Sequence, residues 1–260
     1  MKTISIFTEK GGEGKTTLSM LLASWLAYSA GEFVSVLDFD HPTYQLLQTR
    51  NIDERMLSAA MPALSRAASG NAFYPVQKVT GYDSGYDAAA LEGLVRSVRE
   101  IRSEDGGYLV MDFPGRFLKN DAVYHILRAG LLDLLVIPVS SDRQSILSAR
   151  QLIDAVHKPG FFAPECRKRR QEVLVVWNKV SRTEFRAKND RYAADEEFIR
   201  SLGVKVSPTR VRDIVIARRD SNAFGFIRST VCWPAANVRK AAPYLPELFA
   251  EIKTLADSVK

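Results

Sequence analysis

Cysteine is scarce in this chain. Cys166 and Cys232 are the two it has in 260 residues, far apart and in no metal-ligand spacing. They read as reduced thiols of a cytoplasmic protein, not as a disulfide framework or a zinc site. Long apolar runs are also missing. No stretch approaches the roughly 20 consecutive apolar residues of a membrane helix. The first residues enter a strand-like run at Ile4 with no signal-peptide pattern. No internal repeat or low-complexity segment is visible. What remains is a globular chain whose 46% apolar content is ample for a core. Its length suits one large α/β domain over residues 1–260 better than two small ones.

Charge is unevenly spread. The net formal charge is +6, but residues 161–260 carry +8 and the remainder −2. A basic C-terminal third suits a polyanion-binding face, with a solvated surface as the plainer alternative. Five arginines, Arg210, Arg212, Arg218, Arg219 and Arg228, cluster there and are the candidate DNA contacts. Arg167–Arg170 is a second basic run, placed before a strand.

The most informative stretch is Lys10-Gly11-Gly12-Glu13-Gly14-Lys15-Thr16-Thr17. It follows a short apolar run, Ile4–Phe7, and precedes an apolar helical segment, Leu18–Ala27. Strand, glycine-rich loop and helix form the context of a phosphate-binding loop. Glycines let successive backbone N–H groups turn inward, and the helix adds the positive end of its dipole. Lys15 supplies a full charge for the β- and γ-phosphates, and the Thr16 hydroxyl is placed for Mg²⁺. Three later strands also end in polar residues. Phe33–Leu37 delivers Asp38 and Asp40, Tyr108–Met111 delivers Asp112, and Val173–Trp177 delivers Asn178. Ligand chemistry in open α/β sheets sits at these carboxyl ends. Asp38 and Asp112 are therefore candidate metal residues, and Asp40 is a candidate for ordering water. An Asn such as Asn178 pairs with both donor and acceptor on a base.

The loop departs from the ordinary G-x-x-x-x-G-K-[ST] pattern, with Glu9 where glycine is usual and an extra lysine, Lys10. K-G-G-x-G-K-T-T resembles the deviant Walker A loop of the ParA/MinD ATPases, most closely the ParA-type partition ATPases. The resemblance implies a three-layer P-loop fold with a mainly parallel sheet flanked by helices. It implies ATP and Mg²⁺ as cofactors, slow hydrolysis, and an ATP-bound homodimer in which Lys10 reaches the partner's phosphates. Gly11, Gly12, Gly14, Lys15, Thr16 and Thr17 would hold the phosphates, Asn178 the adenine, and Asp40 the attacking water. Catalysis would rest on Lys10, Lys15 and Asp40. Pro208 and Arg212 are similar to the family's I-P-x-x-x-R segment that closes over the base. His41 stands between Asp40 and Pro42, where the family usually has Pro directly after the Asp.

The resulting expectation is an ATP-dependent dimerising switch that partitions or positions DNA. Its ATP dimer would bind DNA without sequence preference, with a centromere-binding or other activator protein as partner and no membrane contact. Two alternatives are a metabolic ligase of the dethiobiotin synthetase type and a switch acting on a protein partner without DNA. An iron–sulfur carrier is disfavoured for want of C-x-x-C. A membrane-positioned relative is disfavoured by the acidic, amphipathic tail at Leu245–Val259.

Overall fold

The computed structural model describes residues 1–60, 73–80, 87–104, 106–166, 171–181, 183–184, 192–213 and 229–259. Apolar, β-branched runs form the strands β1 (Lys2–Ile6), β2 (Val34–Asp38), β3 (Val76–Lys78), β4 (Tyr108–Asp112), β5 (Leu134–Val139), β6 (Glu172–Trp177) and β7 (Lys205–Val206). They build one seven-stranded sheet in the order β3-β2-β4-β1-β5-β6-β7, and every described pairing is parallel. Among the described residues there are eight α-helices: α1 (Lys15–Tyr28), α2 (Gln45–Ala60), α3 (Ala88–Ser103), α4 (Ala122–Arg128), α5 (Arg143–His157), α6 (Ala193–Ser201), α7 (Ala235–Ala241) and α8 (Leu245–Ser258).

Parallel strands covered on both faces must bury both sets of side chains. The period-two alternation sorts them. Leu109, Met111, Leu135, Ile137, Val173, Val175 and Trp177 join one core with α3, α4, α5 and α6. Ile4, Ile6, Val110, Leu134, Val136, Leu174 and Val176 join the other with α1, α7 and α8. The three-layer expectation therefore holds. The tail is the helix α8, and its Leu245, Leu248, Phe249 and Ile252 are buried against α1 and the sheet. Burying four such side chains contributes on the order of 6–12 kcal/mol before the entropy of ordering them.

Several local expectations shift. The sequence from Asp53 to Ala68 has helical character; the helix α2 begins earlier, at Gln45, and residues 61–68 lie outside the described residues. Asp142 caps α5, its carboxylate accepting from the Gln144 N–H at 2.8 Å. The basic run 167–170 also lies outside the described residues. No described helix is long and apolar enough to cross a membrane.

Candidate functional site

The sheet order places β1 at the centre, where the chain leaves β1 for β2 on one side while β5 continues to β6 on the other. A crevice opens at the carboxyl ends of strands at such a point. The loop of residues 9–14 leaves β1 into this crevice and feeds α1, which begins at Lys15. Gly14 precedes the helix with φ of +81°, a left-handed conformation. A Cβ there would lie 2.8 Å from Asn178 Nδ2, so both backbone and space demand glycine.

Asn178 is brought in from β6 and is buried. Its Nδ2 donates to the Glu13 carbonyl at 2.7 Å, tying the end of β6 to the phosphate loop. With Gly14, Thr17, Lys179, Val211, Arg212 and Asp213 it lines a cleft of about 80 Å³ beside the loop. Pro208 is exposed and is not among the lining residues. The segment reaches the cleft three residues later, because the Val211 N–H donates to the Trp177 carbonyl at 2.7 Å and extends the pairing beyond β7.

Lys15 is partly buried, and its Nζ donates to the Lys10 carbonyl at 3.2 Å. Burial pulls its pKa down, against the charges of Asp112, Asp40 and Glu13. A buried ammonium in this state gains strongly from a polyphosphate. Gly115, in the loop after β4, closes over it. A Cβ on Gly115 would sit 2.9 Å from Lys15 Nζ and 3.0 Å from the Glu9 carbonyl oxygen.

Asp112 is fully buried at the end of β4. One oxygen accepts from Ser19 Oγ at 3.1 Å, and the other has no hydrogen-bond partner, although the Thr16 hydroxyl lies beside the carboxylate. Burial raises its pKa to about 7, with Thr16 acting against the shift and Asp38 and Asp40 adding to it. An orphaned buried carboxylate oxygen next to a phosphate loop fits a hydrated Mg²⁺. Among the described residues no group of three or more Asp, Glu, His or Cys side chains is arranged to hold a metal alone. Mg²⁺ needs no such cage when phosphates and waters complete its octahedron. Thr16 and Asp112 are the residues that would hold it.

Asp38 is also buried, but its carboxylate is engaged by backbone. It accepts from Asp40 N–H at 3.0 Å and Leu47 N–H at 3.1 Å, which shapes the loop between β2 and α2. Burial raises its pKa, with these two hydrogen bonds opposing. It stands opposite Asp112 in the sheet register, with both carboxylate oxygens hydrogen-bonded to backbone. Asp40 accepts from Thr43 Oγ1 at 2.6 Å and lies close enough to bias both Lys15 and Asp112 electrostatically.

Lys10 has partners within its own chain. Its Nζ donates to Asp142 Oδ2 at 2.7 Å and meets Glu13 Oε1 at 3.2 Å. Ser140 Oγ donates to the same Glu13 oxygen at 3.1 Å, while Glu13 Oε2 is buried without a partner. Burial lowers the Lys10 pKa, but the hydrogen bonds to Asp142 and Glu13 outweigh it and leave the value raised.

Of the five arginines of the basic cluster, Arg210 and Arg212 lie among the described residues. Arg210 is paired with Glu196 at 2.9 Å and lies over the Tyr192 ring at 4.7 Å. The same Glu196 accepts from Trp177 Nε1 and pairs with Arg200. Arg210 therefore has partners within its own chain. Arg212 lines the base cleft. Arg218, Arg219 and Arg228 lie outside the described residues.

A phosphate loop leaving the central strand, a buried carboxylate at the end of its neighbour and a base cleft closed by an Asn define a P-loop ATPase of the ParA/MinD type. The chain belongs to the family described as ATPase MipZ, whose model matches residues 2–220. Similar solved structures include the McdA(D38A)–ATP complex of Cyanothece, with TM-score 0.64 and 18% identity over 100% of this chain and 97% of that one. The MinC:MinD cell division complex of Aquifex aeolicus gives TM-score 0.61 and 18% identity, covering 98% and 96%. The pNOB8 ParA bound to nonspecific DNA gives 0.61 and 15% identity, covering 98% of each. No curated protein sequence matches the chain. At these identities the structural likeness speaks for the fold, and the family for ATPase activity.

Proposed function

We propose that this protein is an ATP-dependent positioning switch: Mg²⁺·ATP binds at residues 10–17, two copies associate around it, and slow hydrolysis releases them. The observation that carries the reading is the pair of lysines at one loop. Lys15 faces the phosphate seat, while Lys10 turns outward to Asp142, whose side chain is half-exposed. A lysine held at the rim by exchangeable partners suits a contact with a second subunit's nucleotide. Mg²⁺ would screen the phosphate charge, and Lys15 and the loop N–H groups would hold the β- and γ-phosphate oxygens. Asp40 would orient the attacking water from the β2–α2 loop. Catalysis on this reading is positioning and charge stabilisation by fixed groups.

The cargo is duplex DNA, bound without sequence preference by the ATP dimer. The charge of +8 in residues 161–260 supports this, with Arg218, Arg219 and Arg228 as the contacts. A centromere-binding or other activator protein would set the hydrolysis rate. A switch on a protein partner is the second reading, favoured by the internal pairing of Arg210. The ligase reading would need a second substrate site beside the phosphate loop. A cavity of about 660 Å³ is lined by Lys2, Tyr108 and Asp133, at the opposite, amino-terminal ends of β1, β4 and β5.

Light scattering and calorimetry test the switch. Wild type should bind Mg²⁺·ATP and double in mass, and Lys15→Ala should do neither. Its ATP affinity should fall at least about 100-fold, near 3 kcal/mol. Wild-type-like ATP binding by Lys15→Ala would refute the assignment.

A further inference from the structure

Lys179 follows Asn178 just beyond β6. Among the described residues it and Tyr44 are the non-glycine positions with positive φ, Lys179 at +56°. That conformation is unfavourable for any residue with a Cβ. Asn and Asp offset it with a short polar side chain bonded locally, which lysine lacks. Such backbone persists only where its surroundings fix it, and it gathers at functional sites. Here the surroundings do fix it. The Asn178 N–H donates to the Val139 carbonyl at 2.7 Å, and the Val180 N–H to the Val211 carbonyl at 3.0 Å. Val180 also forms a parallel bridge with Arg212.

The consequence is where the side chain goes. Lys179 Nζ lies 3.9 Å from the point a Cβ on Gly12 would occupy, over the glycine stretch of the phosphate loop. Lys179 also lines the cleft with Gly14, Thr17, Asn178, Arg212 and Asp213. Lys15 approaches the loop from α1, and Lys10 turns away toward Glu13 and Asp142. Lys179 approaches from the base side.

We propose that Lys179 is a third nucleotide-binding lysine, whose stem walls the base cleft and whose ammonium contacts an α- or β-phosphate oxygen. This rests on the reading of the loop as an ATP site. The chemistry follows from position. An ammonium over the glycine stretch of a phosphate loop has an anion seat within reach, and its attraction grows as water is excluded by the nucleotide. Asp213 is the carboxylate that shares the cleft. A di- or triphosphate carries more charge than one carboxylate and outcompetes it. Because the contact is to phosphates that ATP and ADP share, Lys179 serves affinity for both and does not discriminate between them.

Two variants separate charge from packing. Lys179→Met keeps the apolar stem and loses the ammonium, and Lys179→Arg keeps a cation. In calorimetric titrations with ATP and with ADP, Lys179→Met should weaken both about tenfold, a typical effect for one charged contact. Lys179→Arg should retain most of the affinity. Wild-type affinity should also fall more steeply with salt than that of Lys179→Met. Equal binding by Lys179→Met and wild type would overturn the proposal and leave the stem as packing only. Equal losses in Met and Arg would also overturn it, since charge would then not be the operative property. In both cases wild type still binds ATP, so the ATPase site stands. If wild type binds no ATP, the site reading and this proposal fall together. Thermal denaturation of the nucleotide-free variants verifies that each is folded.

Discussion

Lys10 and Asp142 meet at 2.7 Å across 132 residues of sequence, so the lysine expected to serve a second subunit is held by its own chain. Glu13 shares it at 3.2 Å. On the proposed reading, association would exchange one set of anions for another, and the internal set would oppose dimer formation. Asp142→Asn removes the charge while keeping a competent helix cap. Because Asp142 is a surface group the effect is small, a few-fold stronger ATP-dependent dimerisation read by light scattering. Lys10→Ala should do the opposite, leaving ATP binding near normal and weakening the dimer. An unchanged dimer in Lys10→Ala would remove the lysine from the interface.

Asp112 gives a prediction with two signs. Its pKa is raised to about 7 in the folded chain by burial, against an ordinary carboxylate near 3.8. The folded, nucleotide-free protein therefore pays for this ionisation. The penalty sets in as pH rises above the ordinary carboxylate range and is complete above about 7. Asp112→Asn keeps an acceptor for Ser19 and removes the charge. It should raise the melting temperature of the nucleotide-free protein by a few degrees at neutral pH. It should also abolish the gain in ATP affinity that Mg²⁺ provides. Unaltered Mg²⁺ dependence in Asp112→Asn would move the metal elsewhere.

Gly115 tests how closely the loop after β4 must approach. A methyl there would meet Lys15 Nζ at 2.9 Å and the Glu9 carbonyl at 3.0 Å. The ammonium is flexible, but the Glu9 backbone belongs to the phosphate loop. Gly115→Ala should cost about 1–3 kcal/mol of stability, as overpacking does. It should weaken ATP binding about tenfold by displacing Lys15 or the loop. Calorimetry and thermal denaturation read the two effects. Wild-type values for both would show that the loop yields freely.

The phosphate loop was legible because seven defining residues are contiguous and the apolar runs on either side announce strand and helix. Asp112 and Asn178 were legible because each ends an apolar strand. What stayed hidden depends on contacts between distant segments. Nothing in the sequence pairs Lys10 with Asp142, Asn178 with the Glu13 carbonyl, or Arg210 with Glu196. Lys179 was overlooked because its left-handed backbone is imposed by Val139 and Val211, not by its neighbours in the chain. The backbone partners of Asp38 were not legible, because they belong to a loop whose fold gives no local signal. β3 escaped because three residues at a sheet edge, mostly exposed, carry no apolar pattern.

The arginines of the C-terminal third divide into two experiments. Arg210 is spent internally, bonded to Glu196 and stacked over Tyr192. Arg210→Ala should lower stability by about 1 kcal/mol, since Glu196 keeps Trp177 and Arg200, and should leave DNA binding unchanged. Arg218 and Arg219 carry the DNA reading. A cluster of like charge suits an anion, and a dimer would carry twice as many such contacts. Arg218→Glu with Arg219→Glu should abolish the shift of a random duplex while ATP-driven dimerisation persists. Wild-type affinity should fall with salt at a log–log slope of about −0.9 per phosphate contact and should not depend on sequence. A salt-insensitive or sequence-dependent interaction would indicate base readout instead. No shift by the wild-type ATP dimer at low salt would refute DNA as the cargo and leave a protein partner as the target of the switch.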